Sequence, residues 1–105
     1  MFSFYKVSGD SMEPTISPGS YICTYKKVNY NIGDVVVVSI ADDLKIIKRI
    51  FSINNQKIKL CGDNISKSST LCEPWYRSQD IIGKVIINFS FINKFLKPKE
   101  PSHIG

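Results

Sequence analysis

Ser11, in the stretch "SGDSMEPT", and Lys48, in "LKIIKRI", are the side chains whose types suit covalent catalysis. A serine hydroxyl attacks a carbonyl only when a neighbouring base takes its proton. Histidine is the usual base, but the sole histidine, His103, stands in the Pro-flanked end "KPKEPSHIG", where fraying is the default. A Ser-His-Asp triad is therefore not expected. Lysine can take the place of histidine if it loses its charge. Read as a strand, "LKIIKRI" alternates between faces, so Leu44, Ile46, Lys48 and Ile50 share one side while Lys45, Ile47 and Arg49 share the other. An ammonium among aliphatic neighbours loses hydration, which lowers its pKa and readies the neutral amine as a general base. The competing reading is a lysine that snorkels, with its stem on apolar surface and its head in water. Ser11, with no usable histidine, tips the balance toward the base.

Strands must position these two groups. Short β-branched and aromatic runs broken by Gly, Pro, Asn and Asp predict an all-β, single-domain fold. "FSFYKV" opens it, "SPGS" turns the chain into "SYICTY", and "NIGD" leads into "VVVVSI", an apolar run suited to a strand buried on both faces. "DLKIIKRIFSI" and "KIKLC" follow, and "IIGKVIINFSFI" is expected to close the sheet. Between them "GDNISKSSTLCEPWYRSQD" is long and polar, as functional loops are. Residues 1–93 are expected to form the domain and residues 94–105 a flexible tail.

Composition narrows the classes. The chain has 105 residues, 43% of them hydrophobic, and a formal charge of +5, which suits one folded core. Its lysines are scattered, without the arginine clusters or aromatic-basic ladders that read nucleic acid, so no nucleic-acid partner is expected. Cys23, Cys61 and Cys72 form no C-x-x-C pair and lack histidines at ligand spacing, so no metal or other cofactor is expected. Reduced thiols are the plain expectation, with a Cys61–Cys72 bridge left open. No apolar run approaches the roughly 20 residues of a membrane-crossing helix. "FSFINKFL", with its lysines, suits either a lipid surface or the core, and the location is read as cytoplasmic or membrane-peripheral.

Taken in order, "SGDSMEPTISPGSYI", "IGDVVVV", "KIIKRI", "GDN" and "IIGKVI" resemble the serine peptidases of the signal peptidase I and LexA-type superfamily over roughly residues 5–88. The resemblance implies a largely antiparallel coiled sheet or partly open barrel and a Ser-Lys dyad, with Ser11 as nucleophile and Lys48, 37 residues later, as base. It also implies a peptide or protein substrate lying extended in a groove, from which a leader or signal-type extension is cleaved. Backbone N–H groups around Ser11 would meet the oxyanion, with Gly9, Asp10 and Met12 along the groove; Met12 equally suits the core. Gly9 stands where some signal peptidases carry a serine donor. Ser68, six residues after Gly62, matches the family serine that orients the lysine, whereas Thr70-Leu71-Cys72 stands where the family has Asp-Ser-Arg.

Two other functions compete. A LexA-type self-cleaving domain needs a scissile segment before the nucleophile, and only ten residues precede Ser11. An inactive all-β binding module would keep Ser11 and Lys48 beyond hydrogen-bond reach, whereas the enzyme needs them within about 2.6–3.2 Å, or somewhat looser without substrate.

Overall fold

The computed structural model describes residues 1–67, 70–89 and 102–104. The runs read as strands form strands: β1 (Phe2–Val7), β2 (Tyr21–Tyr25), β3 (Val35–Ala41), β4 (Leu44–Asn54) and β5 (Lys57–Cys61). The long polar segment after Cys61 carries a 3₁₀ turn at Thr70–Cys72, the two-residue strand β6 (Tyr76–Arg77) and a second 3₁₀ turn at Ser78–Asp80. It is followed by β7 (Ile81–Phe89) and, at the end of the described residues, β8 (Ser102–Ile104). All lie in one sheet of order β6-β5-β4-β3-β7-β2-β1-β8, antiparallel except for the parallel β1–β8 pair. The sheet is open, with β6 and β8 at its edges, and is not closed into a barrel.

Two expectations are corrected. β7 does not close an edge but joins the middle, pairing with β3 on one side and β2 on the other. Its nine residues present ladder bonds along both edges, which lets a segment late in sequence knit together two earlier ones. The frayed end expected over residues 94–105 is corrected at Ser102–Ile104, which pair with Tyr5–Val7. Ile104, 2% exposed, supplies the apolar burial that composition around the prolines concealed.

Register shifts in β3, β4 and β7 bend the sheet, as bulges do, and its two faces carry separate clusters. Val37 and Ile47 pack with Tyr5, Val7, Met12, Ile16, Ile22 and Ile104. Val36, Val38, Ile46 and Ile50 pack with Ile58, Leu60 and Ile81. Alternate valines of "VVVV" thus enter opposite clusters, as expected of a strand covered on both sides. Each fully buried aliphatic side chain contributes about 1.5–3 kcal/mol, so β3 and β4 form the firm frame against which the site is set.

Candidate active site

The loop carrying Ser11 leaves β1 and returns to β2 through a closed neck. Val7 N–H donates to the Ser20 carbonyl (2.8 Å), and Gly19 N–H donates to the Val7 carbonyl (2.7 Å). Gly19 has a φ of +86°, a conformation that favours glycine. Within the loop, Ile16 N–H donates to the Met12 carbonyl (2.9 Å), forming a helical turn that aims both side chains into the core. Met12 is fully buried there, so the residue after the candidate nucleophile acts as an anchor.

The "GDN" segment fixes the loop from the other side. Asn64 N–H donates to the Ser11 carbonyl (2.9 Å), and Asn64 Nδ2 donates to the Asp10 carbonyl (3.0 Å). Gly62 lies so close that a Cβ built on it would stand 2.7 Å from the Ser11 carbonyl oxygen. That neighbour is backbone and cannot swing away. Gly62→Ala is therefore expected to displace the Ser11 loop and lower the thermal midpoint; melts read beside matched circular dichroism check it.

Asp63 ties this segment to the strand that carries Lys48. Arg49 Nε and Nη2 donate to its two carboxylate oxygens (2.8 and 2.6 Å), and Thr15 Oγ1 donates to Oδ2 (2.6 Å). Arg49 Nη1 also donates to the Gly33 carbonyl (2.6 Å). Hydrogen bonding from Arg49, joined by Thr15, holds the Asp63 carboxyl below the usual carboxylate range. Its folded pKa lies below its unfolded one, so the stability it lends is present above about pH 4 and is lost as pH falls through the folded value. Asp63→Asn is expected to lower the thermal midpoint at pH 7, with the gap from the wild type closing in acid; melts across pH 2–7 read it.

Lys48 is 3% exposed. It pairs across the ladder with Val36 and shares its face with Ile46 and Ile50, as strand alternation predicted. Burial pushes its ammonium below the ordinary lysine range, while Cys72 and then Asp10 act in the opposite direction. The influence of Asp10 puts the lysine in the electrostatic neighbourhood of the Ser11 loop. Cys72 belongs to the 3₁₀ turn packed on the second cluster, and Tyr76 OH fixes that turn by donating to the Leu71 carbonyl (2.6 Å).

The sequence-predicted residues fare differently. Ser11 Oγ is buried and has no hydrogen-bond partner among the described residues, so its expected bond to Lys48 is not made. Catalytic hydrogen bonds commonly tighten only when substrate arrives. Gly9 is partly buried and outside the positive-φ residues. Asp10 is exposed, with a long ion pair to Lys67 (3.8 Å). Ser68 lies outside the described residues, and Cys23, Cys61 and Cys72 are free thiols. Sequence reading missed Arg49 as the partner of Asp63; adjacency to Lys48 was the available signal. A surface hollow lined by Thr15, Ile16, Asp34, Arg49 and Lys84 borders that ion pair but includes neither Ser11 nor Lys48.

The family model described as peptidase S24-like matches residues 2–86, which include both Ser11 and Lys48. The chain belongs to the peptidase S24-like family. No curated protein matches it. Family membership implies a protein substrate for this S24-like chain. No helix among the described residues is long and apolar enough to cross a membrane.

Proposed function

We propose that the chain is a serine endopeptidase that cleaves a leader or signal-type extension from a partner protein, with Ser11 as nucleophile and Lys48 as general base. The observation that carries this reading is the desolvated Lys48, held among aliphatic side chains with its charged form disfavoured, in a chain of the S24-like family. An ordinary lysine is protonated at neutral pH and has no lone pair to offer. Burial moves Lys48 toward the neutral form, whose lone pair can accept a proton.

In the proposed reaction a substrate segment lies extended across the Ser11 loop. Lys48 Nζ takes the proton of Ser11 Oγ as Oγ bonds to the scissile carbonyl carbon. The carbonyl oxygen becomes an anion, met by backbone N–H groups around Ser11, each donor being worth about 2.7–4 kcal/mol of barrier. Lys48 passes the proton to the departing amine as the C–N bond breaks. It then takes a proton from water, whose hydroxyl adds to the Ser11 ester, and returns that proton to Ser11 Oγ as the ester C–O bond breaks and the acid leaves. Ser68, from its position six residues after Gly62, is proposed to orient Lys48, and Gly9 and Asp10 to border the groove.

The test is incubation with a leader-peptide library, read by mass spectrometry beside Ser11→Ala and Lys48→Ala. Cleavage by the wild type alone is expected; no cleavage, or equal cleavage by a variant, ends the proposal. A second reading, an inactive module that binds extended peptides, draws on the unpartnered Ser11 Oγ. Its signature is binding without cutting. Shortening of the chain itself on incubation is the signature of a LexA-type self-cleaving domain.

A further inference from the structure

The edge of β1 that leads toward Ser11 is already occupied by a piece of the same chain. β8 lies parallel to β1 in the register Tyr5↔Ser102, Lys6↔His103, Val7↔Ile104. The Ile104 carbonyl accepts from the Ser8 backbone N–H (2.7 Å) and from Ser8 Oγ (3.0 Å). Because the two strands share a direction, β8 advances toward the turn that bears Ser11. Its Ile104 side chain sinks into the cluster of Tyr5, Val7, Met12, Ile16 and Ile47. β8 also approaches β4. There β5 pairs only with Arg49–Asn54, leaving the second edge of Leu44–Lys48 without a strand partner among the described residues. An extended segment therefore occupies the free edge of the strand that leads to Ser11 and packs Ile104 in the same cluster as Ile47, the residue beside Lys48, in the manner of β-strand addition.

We propose that Ser102–Ile104 is a resting, self-supplied occupant of the peptide groove, and that the groove opens when this strand leaves. An incoming extended peptide with a branched aliphatic side chain takes the pocket of Ile104. The inference rests on the peptidase reading only for the fate of that peptide. A three-residue edge strand seated by one deeply buried side chain belongs to the low end of local stability, whereas β3 and β4 open only with the whole fold.

Two measurements on the full chain test this. In native-state hydrogen exchange of the wild type, the Ser8 amide is expected to open at least about tenfold faster than the slowest amides of β3 and β4. Exchange in step with those strands would overturn the proposal without any variant. In a binding assay, a fluorescent peptide of sequence KEPSHIG is expected to bind the Ile104→Asp chain at least about tenfold more tightly than the wild type. The same peptide carrying Ile104→Asp is expected not to bind. Equal binding to both chains, or a variant that loses protection in β3 and β4 as well as at Ser8, would mark Ile104 as a core residue only and refute the idea. Neither readout needs turnover, so failure here and failure of hydrolysis in the Ser11 assay are separate results.

Discussion

Ser11→Ala and Lys48→Met are each expected to lower peptide hydrolysis by about 10⁴-fold or more, the scale of losing a member of a nucleophile–base unit. The first removes the attacking oxygen. The second keeps an unbranched stem of similar volume on the face shared with Val36, Ile46 and Ile50 but removes the amine proposed to accept the proton. The two losses should not add in the double variant, because either alone stops the same step. Stability separates this from simple misfolding. Burial lowers the folded pKa of Lys48, so at pH values below that folded pKa the chain bears a cost for keeping the ammonium dry. That cost fades as pH rises from the folded value toward the unfolded value of about 10.4. Lys48→Met is thus expected to melt above the wild type at pH 7, with the margin shrinking toward about pH 10. The rising limb of wild-type kcat/KM against pH should lie below the ordinary lysine value, and a limb at or above it would remove Lys48 from the mechanism.

Met12→Ala is expected to cost about 2–5 kcal/mol of folding stability, as for large-to-small changes in closed cores, and to lower the thermal midpoint by more than about 8 °C. Met12 is fully buried, and its cluster draws on β1, β2, β3, β4 and β8 as well as on Ile16 of its own loop. Truncation leaves a void that several strands would have to shift to fill. The same change frees the peptide unit next to Ser11, so hydrolysis per folded molecule should fall as well. Urea titration gives the first quantity and activity below the transition the second. A variant as stable as the wild type would show that the cluster collapses around the gap.

The central strands were legible in the sequence because their determinants are local. The runs at Phe2–Val7, Tyr21–Tyr25, Val35–Ala41 and Leu44–Asn54 have strand composition bounded by turn residues, and period-two alternation alone put Lys48 on the side of Ile46 and Ile50. What escaped was set by distance. Asn64 bonds within its own turn to Ser66, yet Asp63 bonds Arg49 and Thr15, and Asn64 also reaches Asp10 and Ser11. No spacing rule carries information across 48 or 54 positions. The place of β7 was missed because ladder partners are chosen by the whole sheet, and β8 was hidden because the prolines beside it signal chain ends more strongly than three residues can signal a strand. Met12 had two readings in the sequence, core and groove, and its full burial in the cluster with Ile104 is the core one.

The central position of β7 governs how the molecule comes into being. During synthesis, the N-terminal hairpin holding the hydroxyl and the later meander holding the amine emerge first, and neither can dock fully until residues 81–89 arrive to bridge them. Pairings so remote along the chain slow folding, and here the delay has an ordering effect: Ser11 and Lys48 take their final relative places only when the ribosome has delivered the piece that joins their two halves of the sheet.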